Sequence, residues 1–598
     1  MAAIIALALV GLAAYGNSLN GPFVYDDTNI ILSNSLIKDL SNFIALPWPR
    51  YLAHLTFAVN YAIGGFDVFG YHLLNVAIHI ANAALVYCLA SQLMRLKGLG
   101  DDTKDFPKAY IPLSVSMVFL VHPVNTGAVS YITQRFTLLA AFFYLSTVVL
   151  YLKSRSSLEN GSEYYRPRFY WGAIVTTILG QFTKENCFTI PLMLAAIEFG
   201  FFNGAIKKRI FRLLPFFSLF IIAPLALITP ALFSNEEFLT ALSKDQTLRQ
   251  LTYVSPYGYI LTQFRVAVTY LRLLFYPTGL RIAYDYPVYD TFFVPQVYLS
   301  FIFLCALLAA AIFLLVRAKR SAHTLPQLFS FGILWFFIAN IVEALTPLRD
   351  VIFEHRAYLP SVGIIISFFS LYSYSAIKLS GKARSSTNAS RTLWITSALI
   401  AMVFAISTHK RNEVWTDGFK FWQDSATKAP ASFTAVSNLG SEYVLLGNYD
   451  KAIELYRVAL PLAKPYDRTL AYDKLASTLL LAGKYDESIA LNLEAMKFTD
   501  NPAKTLLGLG FAFAAKKEYK RAISTYNEVI SLNPELNTRA SAHEGIGNVL
   551  VETKRYDEAI AYLSRAIALN PQVSDYHYNL AGAYLLKGDK GKALVYFK

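Results

Sequence analysis

The first 410 residues consist of long apolar runs separated by short polar stretches. A helix needs roughly 20 mostly apolar residues to cross a bilayer. The runs therefore predict a polytopic membrane domain over residues 1–410 with about eleven transmembrane helices. The predicted spans are residues 2–19, 71–94, 109–122, 134–152, 169–183, 186–203, 213–233, 296–316, 325–346, 358–377 and 392–409.

A different pattern begins at Phe433, where small and aromatic residues recur at intervals close to the roughly 34 residues of a tetratricopeptide repeat. Repeat starts near 433, 469, 503, 540 and 574 predict about five helix pairs, the last of them incomplete. The domain prediction is therefore a linker at 411–432 and a tetratricopeptide-repeat α-solenoid at 433–598. Such solenoids bind peptides or proteins, and a role as spacer or oligomer contact is the alternative. The predicted fold class is all-α.

Basic residues concentrate in every second loop between the predicted spans. Because cytoplasmic loops are enriched in Lys and Arg, this pattern predicts a cytoplasmic N-terminus and an outer C-terminal end. The apolar segment 257–277 carries Arg265 and Arg272, and counting it as a span would reverse the later loops. We therefore expect an interfacial or re-entrant helix there. The basic loops contain Arg95, Lys97, Lys104 and Lys108; Lys153, Arg155, Arg166 and Arg168; Lys207, Lys208, Arg209 and Arg212; Arg317, Lys319 and Arg320; and Lys378, Lys382, Arg384 and Arg391.

The composition agrees with a membrane protein, since 55% of the residues are hydrophobic and only 16% are charged. The net charge is +11 before Lys410 and +3 from Lys410 onward. This basic excess in the apolar half suits anionic lipid headgroups or phosphate, and no basic, aromatic-interleaved stripe indicates a nucleic-acid partner. Cys88, Cys187 and Cys305 lie far apart in apolar runs, so we expect inert thiols with neither a disulfide nor a zinc site.

The predicted outer loops contain carboxylates and cations close to the span ends. Adjacent carboxylates such as Asp26 and Asp27 repel each other and are usually retained to hold a proton, a cation or a reacting hydroxyl. No third carboxylate is placed to complete a metal site with them, so no divalent metal is predicted. The other candidates in these loops are His122, Arg135, Lys184, Glu185, Glu354, His355 and Arg356.

Each candidate also has a purely structural interpretation. Asp27 suits a helix cap, Arg135 could snorkel at a span end, and His122 before Pro123 could close a turn. Lys184 and Glu185 could form an ion pair, and Glu354 could simply hold Arg356.

Several dispersed motifs, in this order and followed by the repeats, resemble the TMTC proteins. Two departures from the family pattern are the loop 95–108 and Asn125, where a histidine or similar residue is more frequent. The matching motifs are Phe23-Val24-Tyr25-Asp26-Asp27, Leu55-Thr56-Phe57 with Asn60-Tyr61, Tyr71-His72 with Asn75 and His79, Val121-His122-Pro123-Val124-Asn125, Ala128-Val129-Ser130-Tyr131 with Arg135, Lys184-Glu185, and Glu354 to Gly363.

TMTC proteins are similar to protein O-mannosyltransferases, and this resemblance implies the GT-C membrane glycosyltransferase fold. It also implies a polyprenyl- or dolichyl-phosphate sugar donor, with mannose or a similar hexose, and a hydroxyl acceptor on protein. Asp26 matches the general base of the first outer loop and Asp27 the second position of its acidic pair. Arg135, Lys184 and Arg356 are then suitable to stabilise the leaving phosphate, because cations act more strongly away from bulk water. His122 and His355 could donate hydrogen bonds to phosphate or sugar.

Two other functions remain open at this stage. The same fold could act on a lipid acceptor or transfer an oligosaccharide, or the chain could be a non-catalytic membrane scaffold whose repeats bind partners. The compact loops and the absence of glycosylation sequons in predicted outer loops favour a bacterial inner membrane with periplasmic repeats. An endoplasmic reticulum membrane with luminal repeats is the alternative. The sequence leaves the oligomeric state open.

Overall fold

The computed structural model describes residues 2–44, 50–96, 110–155, 166–221, 254–321, 323–348, 350–380, 386–499 and 501–597. The regular elements among these residues are helices, which confirms the all-α prediction. The chain divides into two compact units, Met1–Phe421 and Trp422–Lys598.

Unit 1 is built from apolar helices joined by short turns. Two core clusters lie inside it, and the larger one includes the fully buried Trp335, Tyr144 and Phe119. Its helices are α1 (Ala2–Tyr15), α2 (Tyr51–Gly64), α3 (Val68–Leu93), α4 (Tyr110–Val121), α5 (Arg135–Arg155), α6 (Pro167–Gln181), α7 (Ile190–Phe201), α8 (Ile206–Ser218), α9 (Pro256–Phe275), α10 (Pro295–Ser321), α11 (Thr324–Leu345), α12 (Tyr358–Ser380) and α13 (Ser386–Asn412).

The prediction of about eleven spans is wrong for the described residues. Six helical segments are long and apolar enough to cross a membrane, or seven if α4 and the short helix that follows it form one bent span. Several apolar runs instead form short helices: α1 has 14 residues, α6 has 15 and α7 has 12. Most of the predicted span 213–233 lies outside the described residues. The six candidate spans are Val68–Leu93, Ile132–Arg155, Pro295–Arg320, Thr324–Leu345, Glu354–Lys378 and Arg391–Thr416.

The predicted interfacial or re-entrant segment 257–277 corresponds to α9. This helix of 20 residues is not among the candidate spans. Tyr259, Val266 and Tyr270 on its buried face pack in the second core cluster. Gln263 donates from Nε2 to the backbone oxygen of Val351 at 2.9 Å, which ties α9 to the loop before α12.

The loops of unit 1 gather at two ends. At the first, which we call the Asp26 end, the backbone N–H of Asp26 donates to Tyr131 Oη at 2.9 Å, and Asn412 Nδ2 donates to the backbone oxygen of Ala14 at 3.0 Å. At the second, the Glu198 end, Arg155 lies 2.9 Å from Glu198, and Lys319 Nζ donates to the backbone oxygen of Phe202 at 2.7 Å. Predicted outer loops thus meet at one end and predicted basic loops at the other.

The chain between the two predicted domains is largely helical. Residues 411–432 contain the end of α13, a 3₁₀ turn at Glu413–Thr416 and the helix α14 (Gly418–Lys428). Asp417 begins that helix by accepting the backbone N–H of Lys420 at 2.8 Å.

The second unit contains five consecutive helix pairs of the predicted repeat pattern. Small residues let the two helices of a pair approach, since a Cβ on Gly440 would lie 2.8 Å from Tyr456 Cε1. The pairs begin close to the predicted repeat starts, and the largest difference is at Leu536, four residues before the expected 540. The helices are α15 (Phe433–Leu445), α16 (Tyr449–Ala459), α17 (Arg468–Leu481), α18 (Tyr485–Ala495), α19 (Ala503–Ala515), α20 (Tyr519–Ser531), α21 (Leu536–Glu552), α22 (Tyr556–Leu569), α23 (Ser574–Lys587) and α24 (Lys590–Phe597).

Candidate functional site

Asp27 is fully buried, and its carboxylate holds two segments of backbone together. Oδ2 accepts the N–H of Val24 at 3.0 Å, and Oδ1 accepts the N–H of Thr133 at 2.8 Å. Burial raises the pKa of this carboxyl to about 7, although the two N–H donors act in the opposite direction. Asp27 therefore fastens the loop after α1 to the turn that precedes α5.

Asp26 has a different environment, although it is the next residue in the chain. It is only half-buried, and Tyr131 Oη accepts its backbone N–H. The preceding Tyr25 has a φ of 52°, in the left-handed region that non-glycine residues adopt infrequently. Of the acidic pair, Asp26 is thus the more exposed carboxylate.

Arg135 is buried at the start of α5, and its guanidinium donates hydrogen bonds to neighbouring helices. Nε donates to Asn75 Oδ1 at 2.8 Å, Nη1 to Asn60 Oδ1 at 2.6 Å, and Nη2 to the backbone oxygen of Tyr71 at 2.9 Å. The guanidinium also lies 4.5 Å from the ring centroid of Phe57. Arg135 therefore braces α2, α3 and α5 directly behind the acidic loop.

Lys184 and Arg356 are brought together by a carboxylate that the sequence interpretation missed. Glu343 at the end of α11 places Oε1 3.1 Å from Lys184 Nζ and Oε2 3.1 Å from Arg356 Nε. Its position inside an apolar run was a usable signal, because an ionisable residue in a predicted span is a candidate functional residue. The partner of Arg356 is therefore Glu343 and not Glu354, which the sequence analysis offered for this role.

His355 completes this group of charged and polar side chains. Its ring stacks on Phe353, with centroids 5.1 Å apart and an interplanar angle of 20°. It lies close enough to Lys184, Arg356 and Glu343 for their charges to act on it. We call Lys184, Glu343, His355 and Arg356 the cation cluster.

The acidic loop and the cation cluster contact the same turn of chain. Asp27 binds the backbone of Thr133, and Lys184 Nζ donates to Thr137 Oγ1 at 3.2 Å. Four residues of helix rise roughly 6 Å. The two groups therefore lie next to each other at the Asp26 end, although they are more than 150 residues apart in sequence.

The remaining candidates have other partners. Glu185 forms a two-point ion pair with Arg50 at 3.1 and 3.2 Å. Burial acts to raise the pKa of Glu185, but the charge and hydrogen bonds of Arg50, together with smaller contributions, lower it overall. Glu354 accepts hydrogen bonds from the backbone N–H of Arg281 and from Tyr284 Oη.

His122 lies in the bend after α4 and is fully buried. Its Nδ1 accepts the backbone N–H of Val124 at 3.3 Å, and its Nε2 lies 3.0 Å from the backbone oxygen of Leu274. Since Nδ1 is an acceptor, Nε2 carries the proton and donates to that oxygen. The geometry agrees with a residue that closes a turn.

Among the described residues, no group of three or more His, Cys, Asp and Glu side chains is arranged to hold a metal ion. The acidic pair does not supply one either, because Asp27 directs its two oxygens at backbone N–H groups.

Models of the tetratricopeptide repeat match residues 435–468 and 503–536, and a model described as a TPR repeat matches residues 547–588. The repeats are therefore confirmed. Protein O-mannosyl-transferase F38B6.6 of Caenorhabditis elegans is 31% identical over 25% of this chain and 23% of its own length. Protein O-mannosyl-transferase TMTC3 of Mus musculus is 24% identical over 74% of this chain and 49% of its own length.

The chain is similar to the TMTC protein O-mannosyltransferases. The matched stretches include only 20% to 49% of the length of the Caenorhabditis relative, mouse TMTC3 and Protein O-mannosyl-transferase Tmtc2 of Drosophila melanogaster. Among solved structures, TTC0263, a thermophilic TPR protein in Thermus thermophilus, is 24% identical over 28% of this chain and 88% of its own, at a TM-score of 0.25.

Proposed function

We propose that this chain is a multi-pass membrane glycosyltransferase that moves mannose or a similar hexose to Ser and Thr hydroxyls of proteins. The donor is a polyprenyl- or dolichyl-phosphate sugar, and the repeats recruit the protein acceptor. The observation that carries the proposal is that the loop of the half-buried Asp26 and the cation cluster contact the same short segment of unit 1, at Thr133 through Asp27 and at Thr137 through Lys184. The similarity to protein O-mannosyltransferases supports the same reaction class.

In this mechanism Asp26 is the general base. Its carboxylate accepts the proton of the acceptor hydroxyl while the hydroxyl oxygen attacks the anomeric carbon of the donor sugar. The bond between that carbon and the phosphate oxygen breaks, and its electron pair remains on the phosphate. The products are an O-glycosylated protein with inverted anomeric configuration and a lipid phosphate.

Lys184, His355 and Arg356 are proposed to hold the donor phosphate. Negative charge grows on the phosphate as the sugar leaves, and fixed cations in a water-poor site stabilise that charge without rearranging. Asp27 and Arg135 act as positioning residues, since their polar groups are directed at the protein. Glu185, Glu354 and His122 support the same loops through Arg50, Arg281 and Leu274.

The location follows from the basic loops. If the Glu198 end faces the cytoplasm, the acidic loop lies on the outer face, where secreted proteins are available as acceptors. A bacterial inner membrane with periplasmic repeats is our preferred setting, and an endoplasmic reticulum membrane with luminal repeats is the alternative.

The test uses two substitutions that remove the same charge from adjacent residues. The full chain in lipid nanodiscs is incubated with radiolabelled mannosyl and glucosyl phosphopolyprenols and a secreted-protein extract, and alkali-labile label on protein is counted. Asp26→Asn is expected to reduce transfer at least a thousandfold with a melting temperature near that of the wild type. Asp27→Asn is expected to lower the melting temperature. Its amide NH₂ would face a backbone N–H, and the unsatisfied donors would lower the free energy of unfolding by roughly 1–3 kcal/mol.

Transfer retained by Asp26→Asn would remove the base assignment. If the wild type transfers nothing but still captures proteins from the extract, the scaffold function replaces the enzymatic one. Label recovered in a lipid that is chromatographically distinct from the added donor, instead of in protein, would identify a lipid acceptor.

A further inference from the structure

Glu343 holds the two cations of the cluster at a fixed separation. It is 6% exposed and touches one cation with each carboxylate oxygen, at 3.1 Å in both cases. Tyr259 fixes the same position, since its Oη donates to the backbone oxygen of Glu343 at 2.8 Å and lies 3.5 Å from Arg356 Nη1. The side chain and the backbone of Glu343 are thus both held by contacts with neighbouring residues.

Counted over its own four described members, the cluster carries one more positive than negative charge. Lys184 and Arg356 contribute two positive charges, Glu343 contributes one negative charge, and His355 is counted as neutral beside two cations. Glu185 forms its ion pair with Arg50 rather than with its neighbour Lys184. Asp350 acts on Arg356 from a distance but is partly exposed, so water screens it.

Within the part of the chain that the structure describes, neither of the two cations uses all of its hydrogen-bond donors. The contacts of Lys184 with described residues use two of its three N–H groups, on Glu343 and Thr137. Those of Arg356 use two of its five, on Glu343 and Tyr259. A buried cluster with one excess positive charge and several unused donors is complementary to an anion that carries a single charge.

We propose that Glu343 sets the charge selectivity of the site, so that it retains a phosphodiester and releases a phosphate monoester. This inference rests on the proposed function, in which the donor is a phosphodiester with one negative charge. The product, a lipid phosphate, carries close to two negative charges above pH 7, because its second pKa is about 6. Glu343 repels the additional charge, and the spent lipid leaves more readily than it would from a site with two uncompensated cations.

The test measures binding alone and needs no transfer reaction. Farnesyl phosphate serves as the monoester and its monomethyl ester as the diester. Dissociation constants of the full chain in nanodiscs are measured at pH 8 for both probes. The wild type is expected to bind the diester at least as tightly as the monoester, and Glu343→Gln is expected to shift the ratio at least tenfold toward the monoester.

Two further variants separate charge from structure. Glu413→Gln removes one negative charge from an exposed residue near the end of α13, and it is expected to leave the ratio unchanged. The double variant Lys184→Gln/Glu343→Gln has the original net charge, so its ratio is expected to return to within threefold of the wild type, although both probes bind more weakly.

An unchanged ratio in Glu343→Gln would overturn the proposal, as would an equal loss of both probes with a lower melting temperature, which is the result of a purely structural role. A wild type that binds neither probe would overturn it too. A shifted ratio in a protein that transfers no sugar would instead refute the proposed function and identify a lipid-phosphate binding site. The two failures are therefore distinguishable.

Discussion

At the scale of single residues, Asp26 and Asp27 have the same functional group but different chemistry. Asp27 is fully buried, and its two carboxylate oxygens accept the backbone N–H groups of Val24 and of Thr133. Asp26 remains half-buried on a loop held by Tyr131. Burial and hydrogen bonding, rather than residue type, divide the pair into a positioning residue and a candidate base.

The raised pKa of Asp27 predicts a specific dependence of stability on pH. The pKa is about 7 in the folded protein and about 3.9 in an unfolded chain. Between these values the folded state binds more protons than the unfolded state, so Asp27 favours folding most below about pH 4. That contribution decreases, by roughly 4 kcal/mol at most, as the pH rises to about 7.

Melting temperatures of the wild type and Asp27→Asn, measured between pH 4.5 and 8, test this sign. The advantage of the wild type is expected to be larger at low pH. An advantage that instead grows with rising pH would show that the two N–H donors outweigh burial and keep the carboxylate ionised.

Charged residues that are close in the sequence do not pair with each other here. Lys184 and Glu185 are adjacent, but Lys184 pairs with Glu343 and Glu185 with Arg50. Glu354 is two residues from Arg356, but the partner of Arg356 is again Glu343. Neighbours in a turn point in different directions, so each of these charges pairs with a residue from another segment of the chain.

At the scale of elements, the apolar runs correctly predicted helices, but they predicted too many membrane spans. A core helix in a large unit is apolar on most of its surface whether or not it crosses a membrane. Turns then shorten several runs: α4 ends at His122-Pro123, where the chain bends by 48°, and α6 ends at Gln181, before the turn that carries Lys184. Run length therefore overestimated the number of crossings among the described residues.

A close contact between two helices of unit 1 predicts a position that is sensitive to substitution. Gly332 on α11 and Gly363 on α12 face each other, and a Cβ on Gly363 would overlap the backbone oxygen of Gly332 and lie 2.7 Å from Trp335 Cβ. Backbone cannot move aside as a flexible side chain can. Gly363→Ala is therefore expected to lower stability by roughly 1–3 kcal/mol, seen as a lower melting temperature of the full chain in detergent.

Gly16→Ala is the matched control, because a Cβ at Gly16 would have no neighbour within 4 Å. Its melting temperature is expected to stay close to that of the wild type. Equal melting temperatures for the two variants would mean that α11 and α12 are less tightly packed than their contact indicates.

At the scale of the whole molecule, the two ends of unit 1 carry charged clusters of different composition. The Glu198 end surrounds one buried glutamate with Arg155, Arg209 and Arg212. The Asp26 end combines carboxylates with the cation cluster. The positive-inside rule predicts that the first of these ends faces the cytoplasm.

Cysteine labelling tests this orientation in a variant that lacks Cys88, Cys187 and Cys305. Ser33→Cys probes the Asp26 end and Lys207→Cys the Glu198 end, and both positions are exposed. A membrane-impermeant maleimide is added to cells whose outer membrane has been permeabilised and whose inner membrane is intact. It is expected to label Ser33→Cys. Lys207→Cys is expected to react only after the membrane is permeabilised. Labelling of both positions from the same side would contradict the proposed outer location of the acidic loop.

The sequence by itself determined the helical class, the repeats and the accumulation of charged motifs in alternate loops. These features depend on local periodicity and composition, which short-range physics fixes along the chain. Only the tertiary structure decided which helices reach spanning length, which aspartate stays accessible, and that Glu343 joins Lys184 to Arg356. Those outcomes depend on burial and on contacts between residues far apart in sequence, and no local pattern encodes them.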